Sequence, residues 1–287
     1  MKFKVASGLQ IVTSTWGSKK DPVVILLHGG GQTRHAWGST GEKLSQSGFY
    51  VVALDLRGHG DSDWDTNGDY SIEAYKDDLA SVIQQLDKPA ALVGASLGGM
   101  ASLSLAGDST TRDLCSALVM VDIGLYPNEE GSDQVIRFMS SGKEGFKSLE
   151  EAALAISSYL PHRKKPRDTK GLEKNLRLKK DGRYYWHWDP RFIEGRSKSN
   201  VSNYKENQVK LAKGVSVPTL LIKGALSNVL TQHEVDNFFE LIPHTQFVEI
   251  KEAAHMIAGD RNDIFAESAI RFLRKSRLLT KENITTI

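Results

Sequence analysis

The chain has 287 residues, 40% hydrophobic and 25% charged, a balance that excludes a disordered chain, a collagen-like repeat and a coiled coil. Its formal net charge of +2 hides an uneven distribution, because Pro161–Arg183 holds ten Lys/Arg against three acids and leaves the remainder mildly acidic. Apolar runs such as Pro22–Leu27 fall far short of the roughly 20 residues of a membrane span, Met1–Gly8 lacks the apolar region of a secretion signal, and the single cysteine, Cys115, fits a reducing compartment, so a cytoplasmic protein is expected.

In chain order, Leu9–Trp16 alternates apolar and polar residues, which predicts a half-buried strand paired with Met1–Val5 in a hairpin. The nearly continuous apolar runs Val23–Leu27, Tyr50–Leu54, Ala90–Val93 and Ala117–Val121 suit strands buried on both faces of a parallel sheet. Stretches of helical period lie between them. In Ser71–Leu86, Ser71 is placed to cap a stripe of Ile72, Tyr75, Leu79, Val82, Ile83 and Leu86. The alternation predicts an α/β fold with a mostly parallel, doubly wound sheet. After Val121 the pattern turns helical, basic and turn-rich. It resumes with strand Thr219–Ile222, helix His233–Leu241, strand Gln246–Ile250 and helix Arg261–Lys275. A chain that leaves a sheet and rejoins it contains an insertion. The expected division is a core of residues 1–124 and 212–275, an insertion at 125–211, and a C-terminal tail at 276–287.

Gly94-Ala95-Ser96-Leu97-Gly98 follows directly on a strand and opens a helical run. This G-x-S-x-G arrangement lifts a serine above a sheet on a tight turn, with the Leu97 amide pointing toward a substrate oxyanion at a helix N-terminus. His28-Gly29-Gly30-Gly31-Gln32 ends the strand Val23–Leu27. Its glycines let the backbone approach a ligand, with the Gly30 amide as second donor. A phosphate loop is excluded there because no Lys-Ser/Thr follows.

Together with Asp55-Leu56-Arg57-Gly58-His59-Gly60-Asp61-Ser62 and Ala253-Ala254-His255-Met256, in order and spacing, these motifs resemble the α/β-hydrolase superfamily. The resemblance implies an α/β-hydrolase fold with helices on both faces and an inserted helical cap. It also implies a serine nucleophile, Ser96, an oxyanion hole at Gly30 and Leu97, and His255 as base. The Asp55–Ser62 turn would then be structural. No metal or cofactor is implied. The usual acid position, after Thr219–Ile222, holds Ser227 and Asn228, which carry no charge. Asp122, at the end of Ala117–Val121, is the expected acid, with Glu234 and Asp236 weaker candidates. A vitamin B6-degrading amidohydrolase of the superfamily has a similar layout.

Trp37, Trp186 and Trp188 are candidate pocket walls, although the two cap tryptophans suit a small core of the cap equally well. Lys174, Arg177 and Lys180 are spaced as on a solvated helix face, so nucleic-acid binding is not expected, nor is membrane binding. The expected partner is a small-molecule substrate, cleaved at an ester, lactone or amide through an acyl-enzyme on Ser96. Carbon–carbon hydrolysis, perhydrolysis or elimination by the same triad, and a non-catalytic receptor on the same fold, are the alternatives.

Overall fold

The apolar runs pair side by side at the centre of an eight-stranded sheet. The computed structural model describes residues 1–126, 128–159, 169–194, 201–257 and 262–284. The strands are β1 (Lys2–Lys4), β2 (Gln10–Trp16), β3 (Val23–Leu27), β4 (Tyr50–Leu54), β5 (Ala90–Ala95), β6 (Cys115–Val121), β9 (Thr219–Gly224) and β10 (Gln246–Ile250). They lie in the order β1-β2-β4-β3-β5-β6-β9-β10. β1, β2 and β4 pair antiparallel, and the other neighbours are parallel. Two short strands outside this sheet, β7 (Leu176–Leu178) and β8 (Tyr184–Trp186), form a hairpin.

Burial on both faces explains the unbroken apolar runs. Ile25, Leu27, Val52 and Leu92 share a cluster with Tyr75, Leu79 and Ile83 of α2 (Ile72–Leu86) and Leu103 of α3 (Leu97–Gly107). Val24, Leu26, Val51 and Val93 pack on the opposite face with Leu44 of α1 (Gly38–Gln46) and Phe265 and Phe272 of the last helix, α9 (Asn262–Ile284). Ser71 caps α2 as expected, its hydroxyl accepting the Ala74 amide at 3.2 Å. No helix among the described residues is long and apolar enough to cross a membrane.

Between β6 and β9 the chain forms α4 (Glu129–Ser140), α5 (Leu149–Tyr159), the β7–β8 hairpin, α6 (Arg191–Glu194) and α7 (Val201–Gly214). The sequence pattern showed no strand here, and the hairpin is only three residues deep. The expected boundary at 211/212 falls inside α7, which packs against α3. The pattern also ended the last helix at Lys275, whereas α9 runs to Ile284. Lys174 and Arg177 are not on a common helix face: Lys174 ends a short 3-10 turn and Arg177 lies in β7. Part of the basic run, 161–168 with His162, lies outside the described residues.

Polar contacts fasten this segment to the Asp55–Ser62 turn. Arg177 donates to the Gly60 carbonyl at 3.0 Å and to Asp61 at 2.9 Å, and the Asp189 amide donates to the Gly58 carbonyl at 2.9 Å. The turn is held from the other side by the buried Arg57, which donates to both oxygens of Asp78 on α2 at 2.6 and 2.7 Å.

Candidate active site

Parallel pairing brings the carboxyl ends of β5, β6 and β9 level, Ala95 opposite Val121 and Val121 opposite Ile222. Ser96, Asp122 and the turn after β9 therefore emerge along one edge of the sheet, where open α/β folds bind ligands. Ser96 has φ 46° and ψ −111°, an unfavourable conformation for a residue with a side chain, of the kind kept at functional turns. Two glycines make the turn sterically possible. A Cβ on Gly94 would meet the Gly98 carbonyl oxygen at 2.4 Å, and a Cβ on Gly98 would meet that of Leu27 at 2.4 Å.

Asp122 is fully buried, and among the described residues each hydrogen-bond partner of its carboxylate is a donor. The Gly224 amide donates to Oδ1 at 2.8 Å, and Oδ2 accepts from the Ser227 hydroxyl and from His255 Nδ1 at 2.8 Å. An aspartate in this setting stays an acceptor, which places the His255 proton on Nδ1 and leaves Nε2 with a lone pair. The loop carrying His255 is fixed by Ala225 and Leu226 of the next turn, whose amides donate to the carbonyls of Ile250 and Ala253 at 3.0 and 2.9 Å. Glu234 instead completes the capping box of α8 (Gln232–Leu241), and Asp236 lies within that helix.

Ser96 and His255 line one cavity of about 60 Å³ together with Gly29, Gly30, Gly31, Gln32 and Trp37. Among the described residues no hydrogen bond joins the Ser96 hydroxyl to His255. The Leu97 amide opens α3 and the Gly30 amide belongs to the glycine loop, and neither is taken by a protein acceptor among the described residues. Apart from His255, no charged or titratable cavity-lining side chain is found among the described residues except Tyr159, and the roof is Val135, Phe138 and Met139 of α4.

Residues 22–261 match the alpha/beta hydrolase fold family. The chain belongs to that family. An esterase of Mycobacterium tuberculosis, Rv0045c, is 28% identical over 257 residues, covering 86% of this chain and 80% of that protein. A probable protein phosphatase methylesterase 1 of Caenorhabditis elegans is 24% identical over 265 residues, covering 90% of this chain and 70% of its own length. Among solved structures, an E-2-(acetamidomethylene)succinate hydrolase superposes with a TM-score of 0.82 at 22% identity, covering 96% of this chain and 98% of that one. At that identity the likeness concerns the fold.

Within this α/β hydrolase the structure brings Ser96, Asp122, His255, Gly30 and Trp37 to one place. Trp186 and Trp188 are not among the residues lining the Ser96 cavity. They stack on each other at 4.8 Å, with Trp186 Nε1 donating to the Ser141 carbonyl at 2.8 Å. The Trp186 ring packs on Phe138 and Phe146, and both tryptophans line a separate, smaller cavity that shares Met139 with the first among the described lining residues. Sequence reasoning missed Val135, Phe138, Met139 and Tyr159. The first three carry a signal in hindsight, since the spacing i, i+3, i+4 marks one face of a helix. Tyr159 stacks on Phe138 at 4.3 Å, a contact that no local pattern announces.

Proposed function

We propose that this protein is a cofactor-free serine esterase that hydrolyses small esters with an uncharged, apolar acyl group. The observation that carries the reading is the contact between buried Asp122 and partly buried His255, 2.8 Å apart, beside a cavity wall formed by the strained Ser96. Ser96 Oγ attacks the ester carbonyl as His255 Nε2 takes its proton, and Asp122 holds the resulting imidazolium. The amides of Gly30 and Leu97 receive the tetrahedral oxyanion, each such donor being worth about 3 kcal/mol. His255 then passes the proton to the leaving alcohol. A water, deprotonated by His255, attacks the acyl-enzyme, and Ser96 regains its proton as the carboxylic acid departs.

The segment between β6 and β9 acts as the cap, its α4 face closing over the acyl side. A dicarboxylate of the kind named for the succinate hydrolase would find no cationic partner among the described lining residues. The esterase and methylesterase relatives support ester chemistry over carbon–carbon cleavage. Occupation of the acid role by Asp122 favours turnover over a purely receptor role.

A series of p-nitrophenyl esters from acetyl to dodecanoyl, with the anionic hemisuccinate, tests this. The expected kcat/KM is highest for acetyl to hexanoyl and falls at both the longer chains and the anion. Preference for the hemisuccinate would contradict the apolar acyl site. Labelling of Ser96 by a fluorophosphonate tests the nucleophile itself, and an unlabelled serine would favour the receptor.

A further inference from the structure

His187 stands at the end of β8, on the segment between β6 and β9, and is 1% exposed. Its Nδ1 accepts the Gly60 amide at 2.7 Å, so the ring proton sits on Nε2, which donates to the Gly31 carbonyl at 3.3 Å. Burial, reinforced by neighbouring His59 and His28, holds its pKa well below the ordinary value, so the ring is neutral and Nδ1 stays an acceptor.

What lies beyond Gly31 gives this contact a direction. In a trans peptide the C=O and the following N–H point opposite ways in one plane. The carbonyl held by His187 therefore shares its plane with the Gln32 amide, which donates to the Gly29 carbonyl at 3.1 Å. The Gly29 carbonyl also accepts from His28 Nδ1 at 2.8 Å. Its plane ends in the Gly30 amide, which has no protein acceptor among the described residues and belongs to a cavity-lining residue. From Gly60 through His187, Gly31, Gln32 and Gly29 to the Gly30 amide, every hydrogen bond runs in the same sense, the arrangement in which successive bonds polarise one another.

We infer that His187 is a positioning residue for hydrolysis, orienting and polarising the Gly30 oxyanion donor through two peptide units. His187 does not line the Ser96 cavity, so it acts through the loop and not on substrate. It arrives on the same segment whose Arg177 and Asp189 grip the Asp55–Ser62 turn. Docking of the inserted segment and completion of the oxyanion hole are thereby one event. The inference rests on Ser96 being the nucleophile.

The test is kcat and KM on p-nitrophenyl butyrate for the full chain, with H187L, H187Q and S96A, each checked by its melting temperature. Leucine removes both hydrogen bonds, while the planar glutamine amide offers one acceptor and one donor. The expected result is a 10- to 100-fold loss of kcat in H187L with KM within about twofold, a fraction of the loss from deleting an oxyanion donor outright. H187Q recovers most of that loss. A wild-type kcat in H187L overturns the inference, and so does an H187Q as slow as H187L, which would mean that only packing matters. Should H187L fail to fold, H187Q decides: kcat within about threefold of wild type supports the relay, and a tenfold loss at an unchanged melting temperature overturns it. An inactive S96A beside a fully active H187L removes this inference alone. An active S96A removes the nucleophile reading and the inference with it.

Discussion

The Ser227 hydroxyl donates to Asp122 Oδ2, the same oxygen that accepts from His255 Nδ1. The residue standing where the superfamily usually carries its acid thus supports the carboxylate, one strand away, that we propose as the acid. Ser227 Oγ is itself held by the amides of Val229 and Leu230 at 3.2 and 3.4 Å, so its orientation is set by the loop that leads into the following helix.

Asp122→Asn keeps the shape but removes the charge that stabilises the imidazolium and holds the ring tautomer. Turnover should fall on the order of 10⁴-fold. Ser227→Ala removes one of three donors to the Asp122 carboxylate and should cost roughly 10- to 150-fold, since a hydrogen bond to a charged group contributes about 1.5–3 kcal/mol. Steady-state kinetics of the two variants check the order. Equal losses would make Ser227 as central as the acid.

Because Ser227 and His255 meet on one carboxylate oxygen, a carboxylate introduced at position 227 lies within reach of the same ring. The double variant Asp122→Ala with Ser227→Asp should recover at least about tenfold over Asp122→Ala alone, given that the orienting carboxylate contributes on the order of 10⁴ in kcat. Pre-steady-state release of p-nitrophenol measures this. No recovery would show that the acid works only from β6.

Gly98→Ala places a Cβ against the Leu27 carbonyl at 2.4 Å, a backbone contact that cannot rotate away. The strain should cost roughly 3 kcal/mol of folding stability, at the upper end for overpacking. Urea unfolding of Gly98→Ala against wild type reads it. Ala101→Gly in the same helix is a reference, where the expected loss is about 1 kcal/mol from propensity alone.

The buried histidines make stability depend on pH with a definite sign. Desolvation, opposed by the bond to Gly29 and assisted by Arg34, brings His28 down to about 4, and His187 is lowered in the same direction with His59, His28 and Arg177 nearby. Above the unfolded value of 6.5 both states are neutral and nothing is lost. Between 6.5 and about 4 the unfolded chain takes up protons that the folded chain refuses, so stability falls as pH falls. His28 alone contributes on the order of 3 kcal/mol across that window. The urea midpoint should drop from pH 7.5 to pH 4.5, and drop less in H187Q, which has one titrating ring fewer. A midpoint that rises toward pH 4.5 contradicts this.

Much of the site was legible because its parts are local. Gly94 and Gly98 sit four residues apart around Ser96, the glycines of His28–Gln32 end a strand, and each motif follows an apolar run that only a buried strand explains. The empty acid position was legible too, and pointed to Asp122. What could not be read was contact between distant segments. Ser227 and Asp122 are 105 residues apart, and Gly60 and His187 are 127 apart. Sequence periodicity reports which face of an element is buried and not which partner buries it. For that reason Trp186 and Trp188 could be assigned equally to the substrate cavity or to a core of their own. The choice was made by their stacking on each other and by docking of the hairpin on the Asp55–Ser62 turn. Arg177 and Lys174 show the same limit: a 3.6-residue spacing of cations fits a solvated helix, yet Arg177 lies in β7 because Tyr185 is its strand partner.

The most direct measurement is hydrolysis of p-nitrophenyl butyrate by Ser96→Ala, with its melting temperature taken alongside. In the proposed mechanism the serine forms the acyl-enzyme, so the expected kcat is at least about 10⁴-fold below wild type, in a protein that melts near the wild-type temperature because the Ser96 hydroxyl makes no hydrogen bond among the described residues. A folded Ser96→Ala protein that turns over the ester at the wild-type rate would contradict it.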